Sequence, residues 1–328
     1  MGLAEGTARV PFRRHSRPTH DAAYESAAIA EIGSTEELTA DSQGEVLSFL
    51  NERPMHTVIM SGLIRDNGFD GALSRGRFYA YRGPEAALEG VALIGHATLL
   101  EARTDRALVS FARRARTVAG VNLILGEQET VERFWTCYSH HAITPHFRRK
   151  ELLFEQRWPS AETQAVPGLR RATTADLDQV VSAHAHMAQE ELGFNPLVSD
   201  RDGFRQRCER RIRQERVWVL MKNRKLIFKA DVVTENDIAH YLEGIYVTPA
   251  ERSKGYGTRC LIEVSRRLLA RTQVLCLLIN EQNRVAQGLA RKAGYTVTSC
   301  YESIFLRPST AMSASPEQTP SPHFLTGP

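Results

Sequence analysis

Residues 252–257 read RSKGYG and lie between the apolar run LEGIYV and the helical pattern TRCLIEVSRRLLA. A helix start leaves main-chain N–H groups unpaired and carries partial positive charge. Gly255 and Gly257 let that main chain approach a ligand closely, and Arg252 and Lys254 add charge at the rim. This is the composition of an anion site, and a phosphate is the anion it suits. Two common phosphate motifs are excluded. GxxxxGK[ST] is absent, and the third glycine of GxGxxG is replaced by Cys260. The pattern that remains is Arg-x-x-Gly-x-Gly, preceded by Val247-x-Pro249.

Other side chains near this stretch could move protons. Glu243 stands in YLEGIYV, where alternation puts Tyr241, Glu243 and Ile245 on one face and Leu242, Gly244 and Tyr246 on the other. A carboxylate there suits a general base, acting directly or through water, or a plain structural pair. His240 and His186 are weaker candidates for the same work. Glu190, Glu191 and Asn195 flank a helix stop at Gly193, where acidic groups either suit a cationic amine or form a solvated helix end. Lys229 interrupts LIFKADV and is assigned to the solvent face. Asn283 opens a helix and is a favoured cap.

These residues need strands and helices to hold them. In the second half, LRRA predicts a short strand and residues 173–192 a helix with a threonine cap. A helix over 201–213 follows. VWVLMKN and KLIFKADVVT predict two strands joined at Asn223-Arg224, and IAHYLEGIYV a third. A helix then runs from the glycines to about Ala270, followed by strand VLCLLIN, helix RVAQGLARKA and strand YTVTSCYESIFL. The first half repeats the order more loosely. It has two helices over about 43–65, strands in RFYAYRG and LEGVALIGHATLL, helix TDRALVSFARRART, strand VNLILG, helix ETVERFWTCY and strand KELLFEQRW. The reading is two α/β domains of related topology, each a mixed sheet flanked by helices. They span 35–159 and 160–308 and are joined near PSAETQAVP. Residues 1–34 and 309–328 read as disordered segments by composition.

With those elements in place, VTPAERSKGYG resembles the acyl-CoA motif of the Gcn5-related N-acetyltransferases: R/Q-x-x-G-x-G/A after a strand ending in V-x-P. NEQNRVAQGLARKAGY resembles that family's second signature, matched by Asn283, Ala286, Leu289, Lys292, Gly294 and Tyr295. The resemblance implies acyl-CoA, most simply acetyl-CoA, as cosubstrate, and no metal. It implies that Ile245, Tyr246 and Val247 pair with pantetheine, and that the amides from Ser253 through Lys254, Gly255, Tyr256 and Gly257 to Thr258 bind pyrophosphate. Arg252 lies on the rim, and Asn283 bonds the pantetheine arm. The family's usual tyrosine, proposed to protonate the leaving thiolate, falls on Ala290; Tyr295 and Tyr301 are the tyrosines left to replace it. Most of the second half is similar to a subgroup of bacterial acetyltransferases with a divergent extra domain before the catalytic one. The tandem plan is similar to that of mycothiol synthase. The first half lacks R-x-x-G-x-G, since Gly90 and Gly95 are too far apart, and is expected to be degenerate.

The expected activity is acyl transfer to a primary amine of a small molecule or protein, by direct attack with both reactants bound. Glu243 is the candidate base. The alternative is an acyl-CoA-binding or regulatory module without turnover. The balance of 42 basic and 38 acidic residues, net +4, argues against a nucleic-acid partner. A tRNA-dependent aminoacyl transferase would need Arg113, Arg114, Arg116, Arg148 and Arg149 to cluster. The five cysteines form no CxxC pair, and Cys260 and Cys276 sit in apolar surroundings, which suits inert thiols in a reducing compartment. No apolar run is long enough for a membrane helix, and no hydrophobic stretch follows Arg13, Arg14 and Arg17. A cytoplasmic location is the expectation.

Overall fold

The computed structural model describes residues 35–69, 74, 76–140, 143–161, 165–193 and 195–306. The segments 1–34 and 309–328, expected to be disordered, lie outside the described residues. The first half runs β1 (Thr35–Glu37), α1 (Gln43–Asn51), α2 (Val58–Asn67), β2 (Gly76–Arg82), β3 (Leu88–Gly95), β4 (Ala97–Ala102), α3 (Asp105–Thr117), β5 (Leu123–Glu127), α4 (Gln128–Ser139) and β6 (Phe147–Gln156). The second runs β7 (Leu169–Arg171), α5 (Leu177–Leu192), the single turn α6 (Pro196–Ser199), α7 (Arg201–Arg213), β8 (Val217–Lys222), β9 (Lys225–Glu235) and β10 (Ala239–Val247). It continues with α8 (Tyr256–Leu269), β11 (Val274–Asn280), α9 (Arg284–Lys292) and β12 (Thr296–Phe305).

Local chemistry explains these elements. A capping box between Thr173 and Asp176 opens the turn that leads into α5. Gly193 closes α5 in the left-handed region. The β8–β9 hairpin turns on Asn223 and Arg224, both at positive φ, as a two-residue loop of this hand requires. One expectation fails. LEGVALIGHATLL is two antiparallel strands, β3 and β4, which fold back at Gly95-His96 with Leu93 opposite Leu99. The apolar run crosses the turn without a break, so its periodicity shows one strand where there are two.

Among the described residues the strands form one sheet in the order β1-β2-β3-β4-β5-β12-β6-β11-β10-β9-β8-β7. The two halves exchange their last strands. β6 pairs with β11 of the second half, and β12 pairs with β5 of the first. The sheet therefore does not break at the 159–160 boundary.

Alternation sorts the two faces. Phe78 and Ala80 of β2 join the cluster of α1 and α2, while Tyr79 and Tyr81 join that of α3 and α4. In β11, Val274 and Cys276 pack with the α2 cluster, and Leu275, Leu277 and Ile279 pack under α8 and α9. Helix α2 also reaches the second half. Asn236 donates to Ser61 Oγ at 3.2 Å, and Arg216 grips Asp66 at 2.5 and 3.0 Å. Gly62 is where α2 crosses β9. A Cβ there overlaps the Thr234 hydroxyl and comes within 2.9 Å of Thr234 Cβ and 3.2 Å of Glu235 O. Gly62→Ala is expected to cost about 1–3 kcal/mol by overpacking, despite alanine's better helix propensity. Denaturant unfolding reads this as a lower midpoint with an unchanged slope.

Candidate active site

The site is built where β10 parts from its parallel neighbour. β10 pairs with β11 only from Ala239 to Tyr241, opposite Val274 to Cys276. β10 continues to Val247 and β11 to Asn280, so the two strands splay over the rest of their length. A bulge accompanies the splay, with a break in the β9–β10 register between Glu243 and Tyr246. Gly244, at φ +61°, forms it. A side chain there would be strained and would meet Lys229 Nζ at 2.7 Å.

The bulge corrects the alternation. Tyr241 and Glu243 do share a face, and the Tyr241 hydroxyl donates to Glu243 Oε1 at 2.8 Å. Beyond Gly244 the faces exchange. Tyr246 packs with α5 and α7, and Ile245 and Val247 lie against the α8 cluster. Burial and the Glu243 charge raise the Tyr241 phenol well above its ordinary value, so it keeps its proton.

Lys229 is not on the solvent face. It is fully buried and donates to Asp231 Oδ1 at 2.8 Å. Asp231 Oδ2 also accepts from Arg211 at 2.9 Å and lies 2.8 Å from His184 Nε2. Burial alone would raise this carboxyl. Lys229, His184 and Arg211 outweigh it and hold the carboxyl well below the usual range. Burial lowers the Lys229 pKa. Residues from α5, α7 and β9 thus meet directly beneath the bulge that carries Glu243. Sequence reasoning missed the group because its charges balance only in three dimensions.

The glycine stretch forms the start of α8. Ser253, at φ +62°, and Gly255, at φ +79°, turn the chain, and no side chain caps the helix. Its first main-chain bond runs from Arg259 N–H to Gly255 O, so the preceding amides lie before the helical ladder. A Cβ on Gly257 would sit 2.5 Å from Leu289 Cδ1 and 3.3 Å from Val247 Cγ2, so this glycine lets α8 pack against α9 and β10. Tyr256 carries the Arg259 guanidinium over its ring at 5.1 Å, and Thr258 is half-buried in the first turn. Lys254 pairs with Glu251 at 3.1 Å. Arg252 makes two bonds to Glu190, at 3.0 and 2.8 Å, and donates to Val247 O. That fork joins the end of α5 to the loop, and Arg252 holds Glu190 below the usual carboxylate range. His186 lies edge-on to Tyr246 and 3.4 Å from Glu190. Asn195 caps α6, and the side chain of Glu191 lies outside the described residues. Asn283 caps α9 through Oδ1, which accepts from Ala286 N–H at 3.0 Å; its amide N–H2 is not used by the cap.

Neither tyrosine considered as a substitute at Ala290 reaches this loop. Tyr295 is buried under α8, with its hydroxyl on Ser265 Oγ at 2.8 Å. Tyr301 sits in the first half. There β4 and β5 pair only from Ala97 to Leu99 opposite Leu123 to Leu125, and then part in the same way. This second splay is filled by charge. Arg53 donates to Glu101 at 3.3 Å and Glu127 at 2.5 Å, and His56 Nδ1 lies 2.9 Å from the Tyr301 hydroxyl. The helix beyond it, α3, is capped by Thr104, with Asp105 in its first turn and Glu89 bonded to the cap. That helix start is acidic and closed where α8 is open. Two of the arginines named for a tRNA surface are held by acids. Arg148 pairs with Glu302 beside Trp135, and Arg149 pairs with Glu151 beside Phe305.

Burial lowers the pKa of His56 and His240. An unfolded histidine takes a proton near pH 6.5 while these two resist it. Their contribution to stability is therefore complete above pH 6.5 and is lost as pH falls toward their folded values. Thermal unfolding is expected at lower temperature at pH 5 than at pH 7, with a smaller difference in His240→Asn. Burial pushes Cys260 and Cys276 up to about 12, so both are inert near neutrality. Among the described residues no helix is long and apolar enough to cross a membrane, and no group of acidic, His or Cys side chains could hold a metal ion.

Comparison with known proteins agrees with this geometry. Residues 184–295 match the model of the acetyltransferase (GNAT) family. No curated protein matches the chain. A Drosophila protein of solved structure is 15% identical over 85% of this chain and 99% of its own, with a TM-score of 0.61. A tandem GNAT protein from the clavulanic acid biosynthesis pathway is 14% identical over 84% and 99%, with a TM-score of 0.54. A GNAT-family acetyltransferase from Colwellia psychrerythraea is 11% identical over 84% and 100%, with a TM-score of 0.52. These likenesses span both halves and concern the fold. The matched span encloses the bulge, the α8 loop and the α9 cap, so these lie in a domain that matches the acetyltransferase (GNAT) family.

Proposed function

We propose that the protein is an acyl-CoA-dependent N-acyltransferase that uses acetyl-CoA, with catalysis in residues 160–308 and a degenerate first half over 35–159. The observation that carries this reading is the β10–β11 splay ending at an uncapped helix start. The residues present fit the cosubstrate. The amides of Ser253 to Thr258 suit its pyrophosphate, and Lys254 sits at the rim. The edge of Ile245, Tyr246 and Val247 from which β11 has parted suits the amides of pantetheine, as does the amide of Asn283. The acyl thioester supplies the group transferred. Holding it and a primary amine in one groove supplies most of the rate, and a strand amide near Val247 polarises the thioester carbonyl. Glu243, fixed by Tyr241, takes the amine proton. A departing thiolate is tolerable near neutral pH, so Ala290 does not stop the reaction. The closed, acidic start of α3 supports a first half without this role.

CoA release from acetyl-CoA across an amine panel tests the proposal. Glu243→Gln is expected to lower kcat about 100-fold or more, as for loss of a general base, with a smaller change in KM. Tight acetyl-CoA binding with no turnover on any amine would instead favour a regulatory acyl-CoA-binding module. Location follows the family expectation, the cytoplasm, and is read by fractionation.

A further inference from the structure

Gly244 divides β10 between two tasks. Glu243 lies before it, and the donor edge Ile245–Val247 lies after it. Across the bulge two residues of β10, Gly244 and Ile245, face one of β9, Ala230. The pairs that flank the bulge are Glu243 with Asp231 and Tyr246 with Lys229. Lys229 and Asp231 are two apart and share a face of β9. The 2.8 Å bond from Lys229 Nζ to Asp231 Oδ1 therefore spans the bulge from one flanking pair to the other. The ammonium takes the space that Gly244 leaves. A Cβ there would lie 2.7 Å from Nζ and 3.2 Å from Asp231 Oδ2.

Asp231 is itself held from above. Its Oδ2 accepts from Arg211 of α7 at 2.9 Å and lies 2.8 Å from His184 of α5, while Oδ1 meets Lys229. Both members of the pair are fully buried. Buried ion pairs seldom gain stability over apolar residues of the same volume, and fixing a register is their best-attested use. The competing register is a ladder without the bulge. Continued from the Glu243–Asp231 pair, it sets Ile245 opposite Lys229 and Tyr246 opposite Phe228. By alternation it turns Tyr246 away from α5 and α7, and Ile245 and Val247 away from the α8 cluster.

We infer that Lys229 is a positioning residue: with Asp231 it bridges the Gly244 bulge and holds the Glu243 carboxylate in register with the donor edge Ile245–Val247. Being fully buried, it acts through β10 and not on a reactant. The kinetic half of the inference rests on the transferase reading, and the structural half does not.

The test uses Lys229→Met in the full chain, which removes the ammonium and keeps most of the volume. Asp231→Asn, which removes the other end of the bridge, is the second variant should the first fail to fold. A crystal structure of the variant is expected to show the register break between Glu243 and Tyr246 lost or moved. Kinetics are read below the unfolding temperature, at saturating acetyl-CoA, in a double-mutant cycle with Glu243→Gln. Misplacing the base is expected to lower kcat about 30-fold or more in the natural background. In the Glu243→Gln background the same change should cost less than about threefold, because the group it positions is gone. A merely structural role lowers the active fraction, and so kcat, by one factor in both backgrounds. A register break still in place, or equal factors in the two backgrounds, overturns the inference. A displaced break in a protein that turns over no amine in its natural form upholds the bridge and overturns the transferase reading.

Discussion

Lys229→Ala is expected to lower the unfolding temperature by on the order of 10 °C. The ammonium is fully buried, and Asp231 is its partner. Removing it leaves a buried carboxylate with Arg211 and His184 alone and opens a void under Gly244. Breaking a buried pair from one side costs about 3–5 kcal/mol. A chain of this size loses roughly 1.5–2 °C per kcal/mol. An exposed lysine such as Lys222, at the end of β8, should change stability by less than about 0.5 kcal/mol when replaced by alanine. A shift below 2 °C in Lys229→Ala returns the residue to the solvent face. The acid limb gives a second readout. Asp231 is held low in the folded state, so its contribution is complete above the unfolded carboxylate value near 4 and is lost as pH falls below that. Asp231→Asn should therefore flatten the stability profile below pH 4.

Gly257→Val is expected to weaken acetyl-CoA binding at least 100-fold. Its Cβ would meet Leu289 at 2.5 Å and Val247 at 3.3 Å, and valine adds two methyl groups beyond that. Relief requires α8 to move away from α9 and β10. That motion shifts the amides of the first turn relative to the Ile245–Val247 edge, so both parts of the proposed donor site are lost together. Overpacking costs about 1–3 kcal/mol in addition, which leaves a folded protein for calorimetry. Gly288 is the control. It lies in α9 with nothing within 4 Å of a Cβ, so Gly288→Ala should bind acetyl-CoA normally and gain up to about 1 kcal/mol in stability. Equal affinities for the two variants would detach the glycine loop from donor binding.

Much of this layout was legible in the sequence because it is local. The Asn223-Arg224 turn, the Gly193 stop and the Asn283 cap each follow from one residue and its neighbours. The glycine loop read correctly as an uncapped helix start for the same reason. What was hidden depends on partners distant in the chain. Lys229 is polar by composition and buried by virtue of Asp231, Arg211 and His184. Gly244 inserts a bulge, and one extra residue exchanges the faces of all that follow, so Tyr246 was assigned to the wrong side. The exchange of β6 and β12 leaves no local mark, since each strand has the same alternation whichever half it joins. Tyr241 and Glu243 could have been paired from their period of two, which brings both to one face.

The splay itself is what the functional reading depends on, and the first half has one too. A crystal structure of the full chain with acetyl-CoA decides between them. The account predicts pyrophosphate on the amides of Ser253 to Thr258 and pantetheine along Ile245–Val247, with the β4–β5 splay still closed by Arg53, Glu101 and Glu127. Density for the cosubstrate in the β4–β5 splay, or away from the α8 loop altogether, would contradict it.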